Sequence, residues 1–235
     1  MSRFRPACAA ALVLALVAGV AAAADRPYLV TNSAAAEEDE EQVWAVETWL
    51  RHTRRGQRSL TVAPEYSFDP QNSVQMEFRR VLERDDANGH ELEVEFKHLF
   101  TRIARDGIGF GAVLTLDTER RDGQGPLRRS ATSLFLPLTV PLGEAGAQLH
   151  FNPGLAWPRG ESVRGIGALA AEAELMRRTQ LFGEWARDAE GALLLGGVRY
   201  WIRRERLAVD LAWQRERAEG RTTRGLVLGI AWYDL

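Results

Sequence analysis

Four histidines, one cysteine and a large set of acids and arginines are the residues of this 235-residue sequence that could do chemistry. His52, His90, His98 and His150 contain no pair at metal-ligand spacing, and Cys8 lies in an N-terminal apolar segment. The spacing therefore offers no zinc ligand set and no thiol chemistry. Gly165-Ile166-Gly167-Ala168-Leu169-Ala170 spells G-x-G-x-x-A. No buried strand leads directly into it, and Pro158 to Val163 precede it, so no dinucleotide site is read there. A wall-mounted hydrolase would need a serine beside a histidine on one face. Asn152 follows His150 by two residues, and the candidate serine, Ser133, lies on the preceding segment. The reading names no catalytic residue, no metal and no cofactor; a lipid hydrolase built on His150 is kept as an alternative.

The remaining candidates are charged residues that alternate with apolar ones. Leu92, Val94 and Phe96 oppose Glu93, Glu95 and Lys97, and Val74, Met76 and Phe78 oppose Gln75, Glu77 and Arg79. Leu207, Val209, Leu211 and Trp213 oppose Asp210 and Gln214. Alternation of period two marks a strand with two unlike faces. Twelve such segments are read: 42–51, 59–68, 73–83, 91–100, 108–118, 130–142, 147–157, 165–176, 180–187, 192–202, 206–215 and 224–235. Ala168 to Arg178 is a helix by propensity alone, and 43–55 is similarly ambiguous. Both are read as strands, the first because Leu169, Ala171, Ala173 and Leu175 alternate against Glu172 and Glu174. Connections alternate between short turns and longer polar loops, as in an up-and-down barrel.

The totals alone describe an ordinary globule: 46% hydrophobic, 26% charged, net charge −2. A near-neutral chain has no global attraction to nucleic acid. Residues 1–24 run from Arg3 and Arg5 through an apolar stretch to small residues, the pattern of a secretory signal peptide cleaved before Asp25. Its removal takes away Cys8 and both arginines and brings the net charge to −4. Residues 25–42, with the run Ala34 to Glu41 (AAAEEDEE), read as an acidic, flexible and solvated tail. The barrel is assigned to 43–235.

Twelve strands enclose more room than apolar side chains fill easily, whereas an apolar exterior suits a bilayer. Strand lengths near 9–11 residues and an even strand number fit a bacterial outer-membrane barrel. Aromatics near strand ends (Trp44, Phe68, Phe100, Trp157, Trp185, Tyr200, Trp232 and Tyr233) fit interfacial girdles. The expected fold is an all-β, antiparallel, up-and-down transmembrane barrel with short periplasmic turns and longer extracellular loops. A soluble periplasmic β-domain that binds a partner is the other alternative.

The sequence resembles a bacterial outer-membrane β-barrel. Leu181-Phe182-Gly183-Glu184, Gly197-Val198-Arg199-Tyr200 and Leu207-Ala208-Val209-Asp210-Leu211 are similar to the small transporter-like barrels of the MetA-pathway phenol-degradation family. The resemblance covers about 60 residues and implies architecture, not substrate. Such barrels usually end in an aromatic residue, whereas this sequence ends in Leu235. The last strand therefore has two possible facings: Leu226, Leu228, Ile230 and Trp232 outward, or Val227, Tyr233 and Leu235.

With the apolar face on lipid, the lumen is lined by Glu77, Arg79, Glu93, Glu95, Lys97, His150, Glu172, Glu174, Glu184, Arg199 and Asp210, together with Glu47, Glu65 and Asp117. Hairpin register pairs Arg199 with Asp210, Glu172 with Glu184, Glu77 with Lys97 and Arg79 with Glu95, and places Glu184 near Arg199. The acids outnumber the bases, which favours cations in a pore. A salt-bridged wall of a closed barrel remains the competing reading. The loops carry Arg54, Arg55 and Arg58, Arg120, Arg121 and Arg128, Arg159 and Arg164, and Arg217, Arg221 and Arg224. Guanidinium groups match phosphates, so lipopolysaccharide is an expected partner beside membrane lipid and small solutes.

Overall fold

The computed structural model describes residues 34–83, 87–143, 146–187, 191–218 and 220–235. The stretch read as a signal peptide (1–24) and residues 25–33 of the expected tail lie outside them. Thirteen strands follow one another: β1 (Val43–Thr53), β2 (Arg58–Asp69), β3 (Asn72–Leu82), β4 (Gly89–Leu99), β5 (Gly109–Arg121), β6 (Arg128–Phe135), β7 (Leu138–Leu142), β8 (Ala147–Ala156), β9 (Arg164–Met176), β10 (Thr179–Arg187), β11 (Gly191–Arg203), β12 (Leu207–Ala218) and β13 (Arg221–Trp232). One short helix, α1 (Ile103–Asp106), sits between β4 and β5. All pairings are antiparallel, and β1 joins β13, so the sheet closes on itself.

β6 and β7 are two halves of one stave, so the ring has twelve staves. The break falls at Leu136-Pro137, because proline has no N–H for the ladder. The edges stay stitched there: Leu136 N–H donates to the Pro153 carbonyl at 2.9 Å and Gly111 N–H to that of Pro137 at 3.1 Å.

The outer face is an apolar band. Leu50, Phe78, Phe96, Leu114, Phe151, Leu169, Leu194, Leu211 and Leu228 are all exposed on it. A continuous apolar surface on this scale needs a partner phase. At the short-turn rim, ring centroids step from Trp44 to Tyr66 (5.0 Å) to Phe68 (5.1 Å), and from Phe100 to Phe110 (5.4 Å). Tyr233 departs from the girdle expectation: it is 2% exposed and points inward. The last strand takes the first of its two facings, with Leu226, Leu228, Ile230 and Trp232 outside and Val227 inside.

Both helix-prone stretches are strands, β1 and β9. Ring closure supplies each with two hydrogen-bonded neighbours, which outweighs a propensity difference of a few tenths of a kcal/mol per residue. The acidic run departs from expectation as well. Residues 34–39 are not solvated: Ala35, Ala36, Glu37 and Asp39 are all 5% exposed or less. A turn at 41–42, with Gln42 at φ 59°, doubles the chain back from β1 into the barrel.

Candidate functional site: the barrel lumen

Period-two alternation turns every second side chain of each stave inward. What those side chains are differs around the ring. On β3, β4 and β5 the inward sets are Gln75, Glu77 and Arg79, then Glu91, Glu93, Glu95 and Lys97, then Thr115, Asp117 and Glu119. These surround a cavity of about 1000 Å³ that also meets Glu47, Arg51 and Glu65. The ladder places Glu77 directly opposite Glu93, and Glu93 directly opposite Asp117. Like charges so opposed cost stability. Arg79 bonds Glu91 at 2.8 Å and also contacts Glu77.

The cavity floor is the N-terminal segment. Ala34, Ala35 and Asp39 line it, and the Asp39 carboxylate meets Lys97 Nζ at 2.9 Å. Ala36 N–H donates to Thr139 Oγ1 at 2.8 Å. Glu38 accepts from the N–H groups of Ile103 and Ala104 at 3.0 and 3.3 Å, at the start of α1. The Ala36 carbonyl lies against Gly109, where a Cβ would fall 1.6 Å from that oxygen. The mouth, at the long-loop rim, carries Arg120, Arg121, Arg128, Arg129, Arg159, Arg164 and Arg187. Arginines thus gather at the mouth, while the waist mixes acids with Arg51, Arg79 and Lys97.

The lumen beside β10–β13 is filled. Trp49, Phe182, Leu193, Leu195, Trp201, Val227 and Tyr233 pack with small residues such as Ala208, Ala212 and Ala231 in one buried cluster. Arg199 and Asp210 form a two-pronged ion pair beside it, Nε to Oδ1 at 2.8 Å and Nη2 to Oδ2 at 2.9 Å, both residues fully buried. The Arg199 guanidinium also stacks on Trp201 and Tyr233 at 5.3 and 5.8 Å. Trp201 Nε1–H donates to Gln180 at 2.7 Å, and Tyr233 O–H to Glu47 at 2.8 Å. These polar groups are held by partners, as burial demands, whereas Gln214 on β12 is buried with neither side-chain amide atom hydrogen-bonded.

The eleven residues expected at the lumen fall in three places. Glu77, Arg79, Glu93, Glu95 and Lys97 face the cavity. His150, Glu172, Glu184, Arg199 and Asp210 are buried beyond it, and Glu174 pairs with Arg204 at 3.2 Å at the short-turn rim. Arg199 does oppose Asp210. Three expected register pairs, Glu172 with Glu184, Glu77 with Lys97 and Arg79 with Glu95, do not form. A bulge at Thr179 shifts the β9–β10 register, so Glu172 opposes Phe182 and Glu184 opposes Ala170. The β3–β4 turn is centred two residues earlier than expected, so Lys97 opposes Ser73, Glu95 opposes Gln75, and Arg79 opposes Glu91. Arg199 opposes Gln180, four residues from Glu184.

Sequence reasoning missed Arg51 and Glu91, which the same alternation would have found, and the inward aromatics of the packed half. It also missed the N-terminal segment, whose lumenal place has no local signature.

A model of the family described as uncharacterised conserved protein UCP029691 matches residues 12–231. No curated protein matches the sequence significantly. Among solved structures, the KdgM porin superposes with a TM-score of 0.57 at 8% identity, over 80% of this chain and 98% of that one. The COG4313 outer membrane channel from Pseudomonas putida F1 gives 0.56 at 12%, over 85% and 97%. The outer membrane protein Omp33 of Acinetobacter baumannii gives 0.53 at 9%, over 82% and 98%. At such identities the likeness is one of fold, and the fold is the bacterial outer-membrane β-barrel. The COG4313 channel is itself a barrel of the phenol-degradation family, in line with the resemblance of 181–211.

Proposed function

We propose that this chain, which belongs to the family described as uncharacterised conserved protein UCP029691, is an outer-membrane channel for small solutes with a cation-favouring waist. It reaches that membrane after residues 1–24 are removed. The observation that carries the selectivity is the row Glu77–Glu93–Asp117 on three adjacent staves, facing the cavity. Directly opposed acids weaken a sheet, so stability is no reason to have them. A ring of carboxylates in a water-filled constriction draws cations. The KdgM porin has also been solved in complex with disordered oligogalacturonate, which supports solute passage for barrels of this shape. The mouth arginines suit lipopolysaccharide phosphates at the outer leaflet.

A channel rather than a hydrolase built on His150 is favoured by the solved structures of similar fold, which are porins and channels. The apolar outer band weighs against a soluble periplasmic domain.

Reversal potentials across planar bilayers under a potassium chloride gradient test the reading. The expected result is cation preference, reduced in a Glu77→Gln, Glu93→Gln, Asp117→Asn triple variant. Anion preference in the wild type would overturn it.

A further inference from the structure

We propose that Glu37, His150 and Glu172 form a site for one divalent transition-metal ion of the zinc kind, which fastens the N-terminal segment to the barrel wall. The three residues come from the segment, β8 and β9. One ligand atom from each lies within 4.8 Å of the other two, and all three residues are 5% exposed or less. His150 and Glu172 sit diagonally on adjacent staves, because Gln148 is the residue directly opposite Glu172.

The histidine is set up as a ligand. Its Nδ1 is 3.0 Å from Thr139 Oγ1, which also accepts the Ala36 N–H. A hydroxyl oxygen has two acceptor positions, so it can take both N–H groups. In the tautomer that carries the proton on Nδ1, Nε2 keeps its lone pair. Such an outer hydrogen bond fixes the tautomer and ring angle of metal-binding histidines. Nε2 points at Glu172, 3.8 Å from Oε1, and has no hydrogen-bond partner. Glu172 Oε2 has none either.

Glu172 and an imidazole nitrogen are buried side by side, and Glu172 Oε2 and His150 Nε2 have no hydrogen-bond partner, which is costly for buried polar atoms. A divalent cation takes those lone pairs as ligands, with Glu37 completing the set. One imidazole nitrogen and two carboxylate oxygens suit zinc, with a fourth position left for water.

The metal's effect on passage rests on the channel reading above; its binding does not. The untagged full-length barrel, folded in detergent micelles and stripped with chelator, is titrated with zinc chloride by calorimetry. The expected result is one zinc per barrel, with affinity at least 10-fold weaker in Glu37→Gln and in His150→Ala. Glu37 lies outside the ring, so Glu37→Gln leaves barrel folding intact, and heat-modifiable gel migration verifies this for both variants. Absence of stoichiometric zinc in the folded wild type, or unchanged affinity in His150→Ala, overturns the site. In bilayers, zinc should lower wild-type conductance and leave Glu37→Gln unaffected. If zinc binds at one per barrel but no preparation conducts, the channel reading falls and the metal site stands. If the barrel conducts and zinc binds without changing the current, the fastening of the segment is overturned.

Discussion

Strands β3–β5 and strands β10–β13 present the same outward face of Leu, Phe and Ile to the membrane side, and opposite inward faces. The first group turns in long acids and bases that repel or bridge across water. The second turns in Phe182, Leu195, Trp201 and Val227, with alanines between them to make room. A sheet of nearly constant curvature is thereby hollow on one side and solid on the other. The lesson is that the pairing ladder makes the ring, while the inward residues alone decide whether a sector is a wall or a core. Buried apolar packing is concentrated in one sector, while the other holds opposed carboxylates.

Four experiments would break or sharpen that contrast. The largest effect is expected in the solid sector. Asp210→Ala takes the two-pronged partner from the buried Arg199 and should cost about 3–5 kcal/mol in guanidinium unfolding of the detergent-folded barrel. A loss close to zero would mean that this sector is not the stabilising one. Gly109→Ala adds a Cβ that would meet the Ala36 carbonyl at 1.6 Å. The segment must leave its place, so conductance should rise while the unfolding midpoint holds. Glu93→Gln removes one charge from the opposed row and should leave stability the same or raise it by about 0.2–1 kcal/mol. A marked loss there would show that the hollow sector is structural after all.

The smallest effect belongs to the α1 turn. Hydrogen bonds from Arg105 and from the Arg102 backbone hold the Asp106 pKa down at about 2, below the usual 3.8. A depressed folded pKa gives a contribution that is present above the ordinary value and lost as pH falls through about 2. Amide exchange at Arg102 should therefore quicken between pH 4 and pH 2 and stay flat, once corrected for intrinsic rates, above that window.

The facing of the staves was readable in the sequence because period two survives any register error. Glu77 points inward whether its partner is Glu93, as found, or Lys97, as expected. The stave count was readable too, since the broken strand at Leu136-Pro137 keeps its alternation on both sides. Register was not, because it depends on a bulge at Thr179 and on where the β3–β4 turn is centred. Nor was the solid sector: alternation says which way Phe182 or Trp201 points but not what it meets across the lumen. The acidic run looked like a solvated arm because its partners, Lys97, Thr139 and the α1 backbone, are 58 to 103 positions away.

The turn at residues 41–42 makes the lumenal segment a tethered ligand. Only three residues separate Asp39 from the first residue of β1, so the segment cannot be diluted away from its seat. A short flexible tether gives an effective concentration on the order of millimolar. Departure is thus always followed by rapid return, and a free peptide of the same sequence would have to reach that concentration to compete. Release of the seat is then a matter of how often the tethered end lets go, not of how much of it is present.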